Sequence, residues 1–171
     1  DPDCVEGNLC LGQLSAASDI TMAGANRIHL KAPVNASTAS ITARDSLTVA
    51  AGTTLNADAS LFLSVTNGNL NLLGGQDAGP RLTSNSIGLY AGGDINGAGA
   101  RVTGSTVAMG AASIALQSIS TSNDFATIDA LGAVTGAGLT ITGDLNVGRI
   151  NGTFGDANAD LTVKARAIGV D

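Results

Sequence analysis

The sequence predicts an all-β fold, a parallel β-solenoid (right-handed β-helix) of about eight coils of roughly 20 residues each. Three observations lead there. The composition is apolar yet poor in helix formers. Short polar–apolar alternations recur along the chain, and their spacing echoes at about 20 residues.

Of the 171 residues, 44% are hydrophobic and 13% charged, with 23 Gly. The charged share is about half that of an average soluble domain, so Ser, Thr, Asn and Gly must cover the surface. One Glu (Glu6) and two Lys (Lys31 and Lys164) leave little of what a solvated helix relies on. A net charge of −6 would repel a phosphate backbone, which argues against nucleic acid as a partner. Three Phe, one Tyr and no Trp argue against functions built on ring faces, such as sugar or base platforms. No apolar run approaches the ~20 residues of a membrane span, so the chain is not read as transmembrane.

The strand strings follow in order: Asp19–Met22, Arg27–Leu30, Ser40–Ala43, Ser46–Val49, Ser60–Leu63 and Asn69–Leu72. They continue as Ser86–Leu89, Thr106–Met109, Ser113–Leu116, Asp144–Val147, Asp160–Val163 and Ala167–Val170. Each alternates polar and apolar residues, the period of a strand buried on one face. Between them lie turn formers, among them Asn67 with Gly68, Gly92 with Gly93, and Asn151 with Gly152. Ala111–Leu131 lacks Gly and Pro, and its Phe125, Ile128 and Leu131 fall at helical spacing. Its Ser, Thr and Asn content opposes a stable helix, and the segment is read as coil.

The first apolar residues of alternate strings are Ile20, Ile41, Leu61, Ile87, Val107, Ile128, Ile141 and Leu161. One long step spans an insertion at Gly74–Pro80, and one short step separates Ile128 from Ile141. Companion strings follow at Ile28, Leu47, Leu70, Ile95 and Ile114. One such coil cannot bury its apolar side, but a stack of them buries a continuous aliphatic strip. Inward positions are expected at Ile41, Leu47, Leu61, Leu70, Val107 and Ile114. At ~4.8 Å per coil the rod would be about 40 Å long. A β-sandwich also spaces short strands closely, but it favours larger core residues and gives no such echo. Residues 1–13 are read as an N-terminal disulfide-closed cap and 14–171 as the repeat domain.

Three motifs carry a likeness: SLTVAAG at 46–52, AGGDING at 91–97 and GDLNV at 143–147. With them the chain resembles the haemagglutinin-repeat β-helix shaft of filamentous haemagglutinin-like adhesins and contact-dependent inhibition exoproteins, secreted by the two-partner route. The likeness runs from about Leu14 to the end. It implies a right-handed parallel β-helix, export to the surface of a Gram-negative cell, and adhesion or display. The Asn-Pro-Asn motifs of that family's secretion domain do not occur here, so the chain resembles shaft.

Cys4 and Cys10 are the two cysteines. A local disulfide between them would close a small loop over the first coil and suits an extracytoplasmic protein. A metal or redox site is the other reading, but His29 is the single His and no CxxC occurs. His29 takes an outward position in Arg27–Leu30, and a surface residue is expected there. Asp45, Asp58, Asp77, Asp94, Asp124, Asp129, Asp144, Asp156 and Asp160 are spread over turns and coils without a paired motif. That spread argues against a lyase or hydrolase, since turn aspartates more often bond their own backbone. Gly74–Asp77 and Gly92–Asp94 faintly resemble calcium-binding nonapeptides, but the nonapeptide period is absent. An ice-binding Thr ladder fails between Thr42 and Thr142, where Phe62, Gly88, Ala108 and Asp129 interrupt it.

The expectation is therefore a secreted or surface-exposed structural and adhesive β-helix, not an enzyme, with no cofactor and no metal. Its receptor, on a host or bacterial surface, is expected to be a protein or glycan of unknown identity. Asp160–Asp171 keeps strand pattern almost to its last residue. That coil edge is expected to continue into a longer chain or to meet another copy, giving head-to-tail filaments. A polysaccharide-acting or tail-spike-type module is the further alternative.

Overall fold

The computed structural model describes residues 8–75, 78–130, 134–135, 140–150, 162–164 and 168–170. These form strands β1 (Asn8–Leu11), β2 (Leu14–Ser15), β3 (Asp19–Leu30), β4 (Val34–Val49), β5 (Thr54–Val65), β6 (Asn69–Leu72) and β7 (Arg81–Ala91). They continue as β8 (Ile95–Ala111), β9 (Ile114–Ala130), β10 (Val134–Thr135), β11 (Thr140–Ile150), β12 (Thr162–Lys164) and β13 (Ile168–Val170). All pairings among them are parallel and belong to a single sheet. The sheet winds as a β-solenoid, with about six turns between Asn8 and Ala130.

Every coil crosses three walls. On wall A the register stacks Leu14, Val34, Leu55, Leu82, Val102, Ile119, Ile141 and Val163, of which Val34, Leu55, Leu82, Val102 and Ile119 are buried. On wall B it stacks Ile20, Ala39, Leu61, Ile87, Val107, Ala126, Leu145 and Ile168, of which Ala39, Leu61, Ile87 and Val107 are buried. On wall C the ladder is Leu9, Ile28, Leu47, Leu70, Ile95, Ile114 and Val134. The long strands turn corners: β8 contributes Ile95–Gly97 to wall C, Arg101–Gly104 to wall A and Val107–Ala111 to wall B.

The core is the strip these ladders enclose. Ile41, Leu47, Leu61, Leu70, Val107 and Ile114 all point into it and expose 1% or less of their surface, as their alternation predicts. Burying a Leu or Ile side chain contributes about 1.5–3 kcal/mol. Each of these is in register with apolar residues one coil above and below, so the gain depends on stacking.

The register differs from the spacing analysis at the wall B rungs of Ala39, Ala126, Leu145 and Ile168. Ile41 lies between Met22 and Leu63, so the first inward residue of its rung is Ala39. Ile128 likewise follows Ala126, while Ile141 belongs to wall A between Ile119 and Val163. Ala39 fills the inward place of the first rung and Ala126 holds the same register position in the second, and an alanine is too weakly apolar to mark a strand start. With Ala39, Ala126, Leu145 and Ile168 in place the steps are 19, 22, 26, 20, 19, 19 and 23, and the short step vanishes. Leu161 lies outside the described residues.

Ala111–Leu131 is not irregular coil. Ile114–Ala130 is strand β9, running through all three walls between β8 and β11. Its hydroxyl-rich sequence suits outward positions of a β wall as well as it opposes a helix. The segment expected as a cap contains β1, which pairs with β3 and supplies the first described rung of wall C.

The described residues of the 74–80 insertion, 74–75 and 78–80, form a strap that lies against the turns of its neighbours. Gly52 donates its N–H to the carbonyl of Ala78 at 2.7 Å, and Ala78 donates to Gly75 at 3.0 Å. Gly99 approaches the strap so closely that a Cβ on it would overlap the Gly75 carbonyl oxygen.

Candidate functional site

Outward residues of the described walls stack in the same register as the core, so a site on a wall takes the form of a ladder. On the outer side of wall A, Ser15, Asn35, Asn56, Thr83 and Thr103 follow one another. Asn56 Nδ2 donates to Asn35 Oδ1 at 3.2 Å. Ser15, Asn35 and Asn56, with Ser37 and Asp58, line an open groove of about 200 Å³ at the corner toward wall B. Hydroxyls, amides and the Asp58 carboxylate can hydrogen-bond a polar ligand there. Asp58 is the one carboxylate among the described residues lining it, so general acid–base work by a carboxylate pair has no second member in that lining.

Outside wall C the order is Cys10, His29, Thr48, Asn71, Asn96 and Ala115. His29 takes the expected outward position and is half-buried between neighbouring rungs. Asn96 Nδ2 donates to Asn71 Oδ1 at 3.1 Å, a second amide ladder. At the adjoining corner the Asp94 N–H donates to Asn69 Oδ1 at 2.8 Å, and Ser113 Oγ donates to Asp94 Oδ1 at 2.7 Å. Asp94 thereby ties three coils together, which gives that aspartate a structural use. Asp77 lies outside the described residues.

Cys10 is not a free thiol. Cys4 lies outside the described residues, so its pairing with Cys10 is carried forward as a proposal. Among the described residues no three His, Cys, Asp or Glu side chains converge as metal ligands. No helix among them is long and apolar enough to cross a membrane.

The outer side of wall B is different in kind. Thr38, Ser60, Ser86 and Thr106 form one ladder, Ser40, Phe62, Gly88 and Ala108 the next, and Thr42, Ser64, Tyr90 and Gly110 the third. No charged residue occurs at any of these positions over four successive rungs. Thr21 stacks on Ser40 rather than on Thr42, so the Thr row considered from spacing is not a row.

Two of the chain's four aromatic residues meet on this wall. The Phe62 and Tyr90 rings lie 5.6 Å apart between centroids and are tilted by 38°. Composition argues against ring-based sites, and the two rings come together only through the register across the 74–80 insertion. Aligning Leu61 with Ile87 across that insertion is the signal that places Phe62 beside Gly88 and Tyr90 diagonal to it. No family model, curated protein or solved structure matches the chain.

Proposed function

We propose that the chain is a non-enzymatic structural and adhesive β-solenoid, the shaft or a subunit of a fibre on the surface of a Gram-negative bacterium. One observation carries this reading. The outer side of wall B is uncharged and hydroxyl-rich over four rungs, on a backbone held by continuous parallel ladders. Such a wall offers many weak contacts in a fixed array, and a rigid array adds them without the ordering cost that a flexible surface incurs. The resemblance of 46–52, 91–97 and 143–147 to haemagglutinin repeats points the same way, as does a Cys4–Cys10 bond if the protein is exported.

Beads coated with the chain should adhere to epithelial or bacterial cells above bare beads. Ser64→Glu with Ser86→Glu should abolish adhesion while leaving the circular dichroism spectrum unchanged. Adhesion equal to that of bare beads would overturn the reading.

Head-to-tail stacking into a filament is the second reading. β12 and β13 pair with β11 in the same parallel ladders as the earlier coils, and such ladders propagate between chains wherever a strand edge is left open. Native mass at rising concentration separates the two: a fixed mass supports the shaft, a growing ladder of masses the filament.

A further inference from the structure

We infer that Phe62 and Tyr90 form a stacking platform for a neutral pyranose, the contact through which wall B holds an oligosaccharide. The inference rests on the adhesive reading above and gives it a site and a ligand class.

Gly88 is what brings the rings together. It sits in register with Phe62, and a Cβ on it would lie 2.9 Å from Phe62 Cδ2 and 3.2 Å from Tyr90 Cε2. Both rings therefore converge over the bare backbone of that residue. Covering an exposed glycine with aromatic rings stabilises a strand, and this would account for the pair if the rings were closed off. They are not. Tyr90 keeps 39% of its surface exposed, and Phe62 is half-buried.

The occupant follows from the chemistry around the rings. A pyranose has an apolar C–H face and a rim of hydroxyls. The C–H face suits the two tilted ring faces through weak C–H···π contacts and apolar burial. Its rim suits the hydroxyls on neighbouring positions, Ser60 and Ser64 on one rung and Ser86 on the next. The wall carries no charge over these rungs and the chain as a whole is at −6, so an anionic saccharide gains nothing there and is repelled at longer range. Among saccharides, the uncharged wall on an acidic chain therefore favours a neutral one.

The sequence supplies its own reporter: Tyr90 is the single tyrosine and there is no tryptophan. Tyrosine emission of the intact chain should change saturably on titration with neutral gluco-, galacto- or manno-oligosaccharides, for at least one of the three. A sialylated counterpart should bind at least tenfold more weakly. Phe62→Ser, measured by calorimetry against the same sugar, should weaken binding at least tenfold without shifting the thermal midpoint by more than a few degrees. Gly88→Val, which pushes the rings apart, should do the same, and Tyr90→Phe should retain binding.

The inference is overturned by an emission that no neutral sugar changes, by preference for the sialylated form, or by full affinity in Phe62→Ser. Bead adhesion measured alongside separates its failure from that of the adhesive reading. Adhesion unaffected by Phe62→Ser removes the platform alone, whereas the absence of any adhesion removes both.

Discussion

Leu61 lies between Ala39 and Ile87 on neighbouring rungs and exposes 1% of its surface. Leu61→Ala should cost about 2–5 kcal/mol through lost burial and the cavity left behind. Leu61→Asp should cost more, because a carboxylate there is buried without a partner. Urea denaturation and hydrogen exchange check both, with fraying expected first in β4, β5 and β7. Full tolerance of the aspartate would contradict the inward assignment. Glycines divide by a different criterion, the space beside them. A Cβ on Gly99 would overlap the Gly75 carbonyl, which is backbone and cannot swing aside, whereas a Cβ on Gly75 meets nothing within 4 Å. Gly99→Ala should therefore cost about 1–3 kcal/mol as overpacking. Gly75→Ala should stay within about 0.5 kcal/mol of the parent, and the difference in urea midpoints is the measurement.

At the scale of the strand, the three walls were unequally readable, for physical reasons. Most wall C strands carry two large inward residues, such as Leu47 with Val49 and Leu70 with Leu72, and the alternation alone identifies them; β8 has Gly97 in the second place beside Ile95. Wall B was readable at Leu61 and Ile87, but Ala39 and Ala126 give too weak an apolar signal and moved the apparent strand start by two residues. Wall A strands are short and offer one large residue apiece, Val34, Leu55 or Leu82, which cannot set up a period by itself. The outward sites were less readable still. Phe62 and Tyr90 share a site only through the register across the insertion, and no local pattern marks either residue. The N-terminal strand brings a covalent question. Cys10 lies in β1 beside His29 of β3, so a bond to Cys4 would tie the preceding segment to the first rung of wall C. Non-reducing mass spectrometry should find Cys4 joined to Cys10 in the same chain. Reduction should raise exchange in β1 and leave β5 to β8 protected, since coils are held mainly by their nearest neighbours. Two free thiols in protein secreted under oxidising conditions would refute the bond.

For the whole molecule, stacking predicts that one coil is a removable unit. Residues 81–100 span one circuit: Arg81 pairs with Arg101, Leu82 with Val102, Ile87 with Val107 and Leu89 with Met109. Pro80 already accepts a hydrogen bond from the Arg101 N–H at 3.0 Å, so its C-terminal end lies close to where the shortened chain must be joined. Deleting 81–100 would bring Val102 onto Leu55, Val107 onto Leu61, Met109 onto Leu63 and Ile114 onto Leu70. Every new inward contact is aliphatic. The deletion also takes away Tyr90, so the shortened chain should show no neutral-sugar binding through the aromatic pair. It should keep a β spectrum and a cooperative melt, and small-angle scattering should find a rod shorter by about 4.8 Å. Deleting 81–90 removes half a circuit and throws every later strand onto the wrong wall; that chain should fail to fold. A shortened chain that unfolds when 81–100 is removed, or folds equally well when 81–90 is removed, would show that the coils are not interchangeable in the register described.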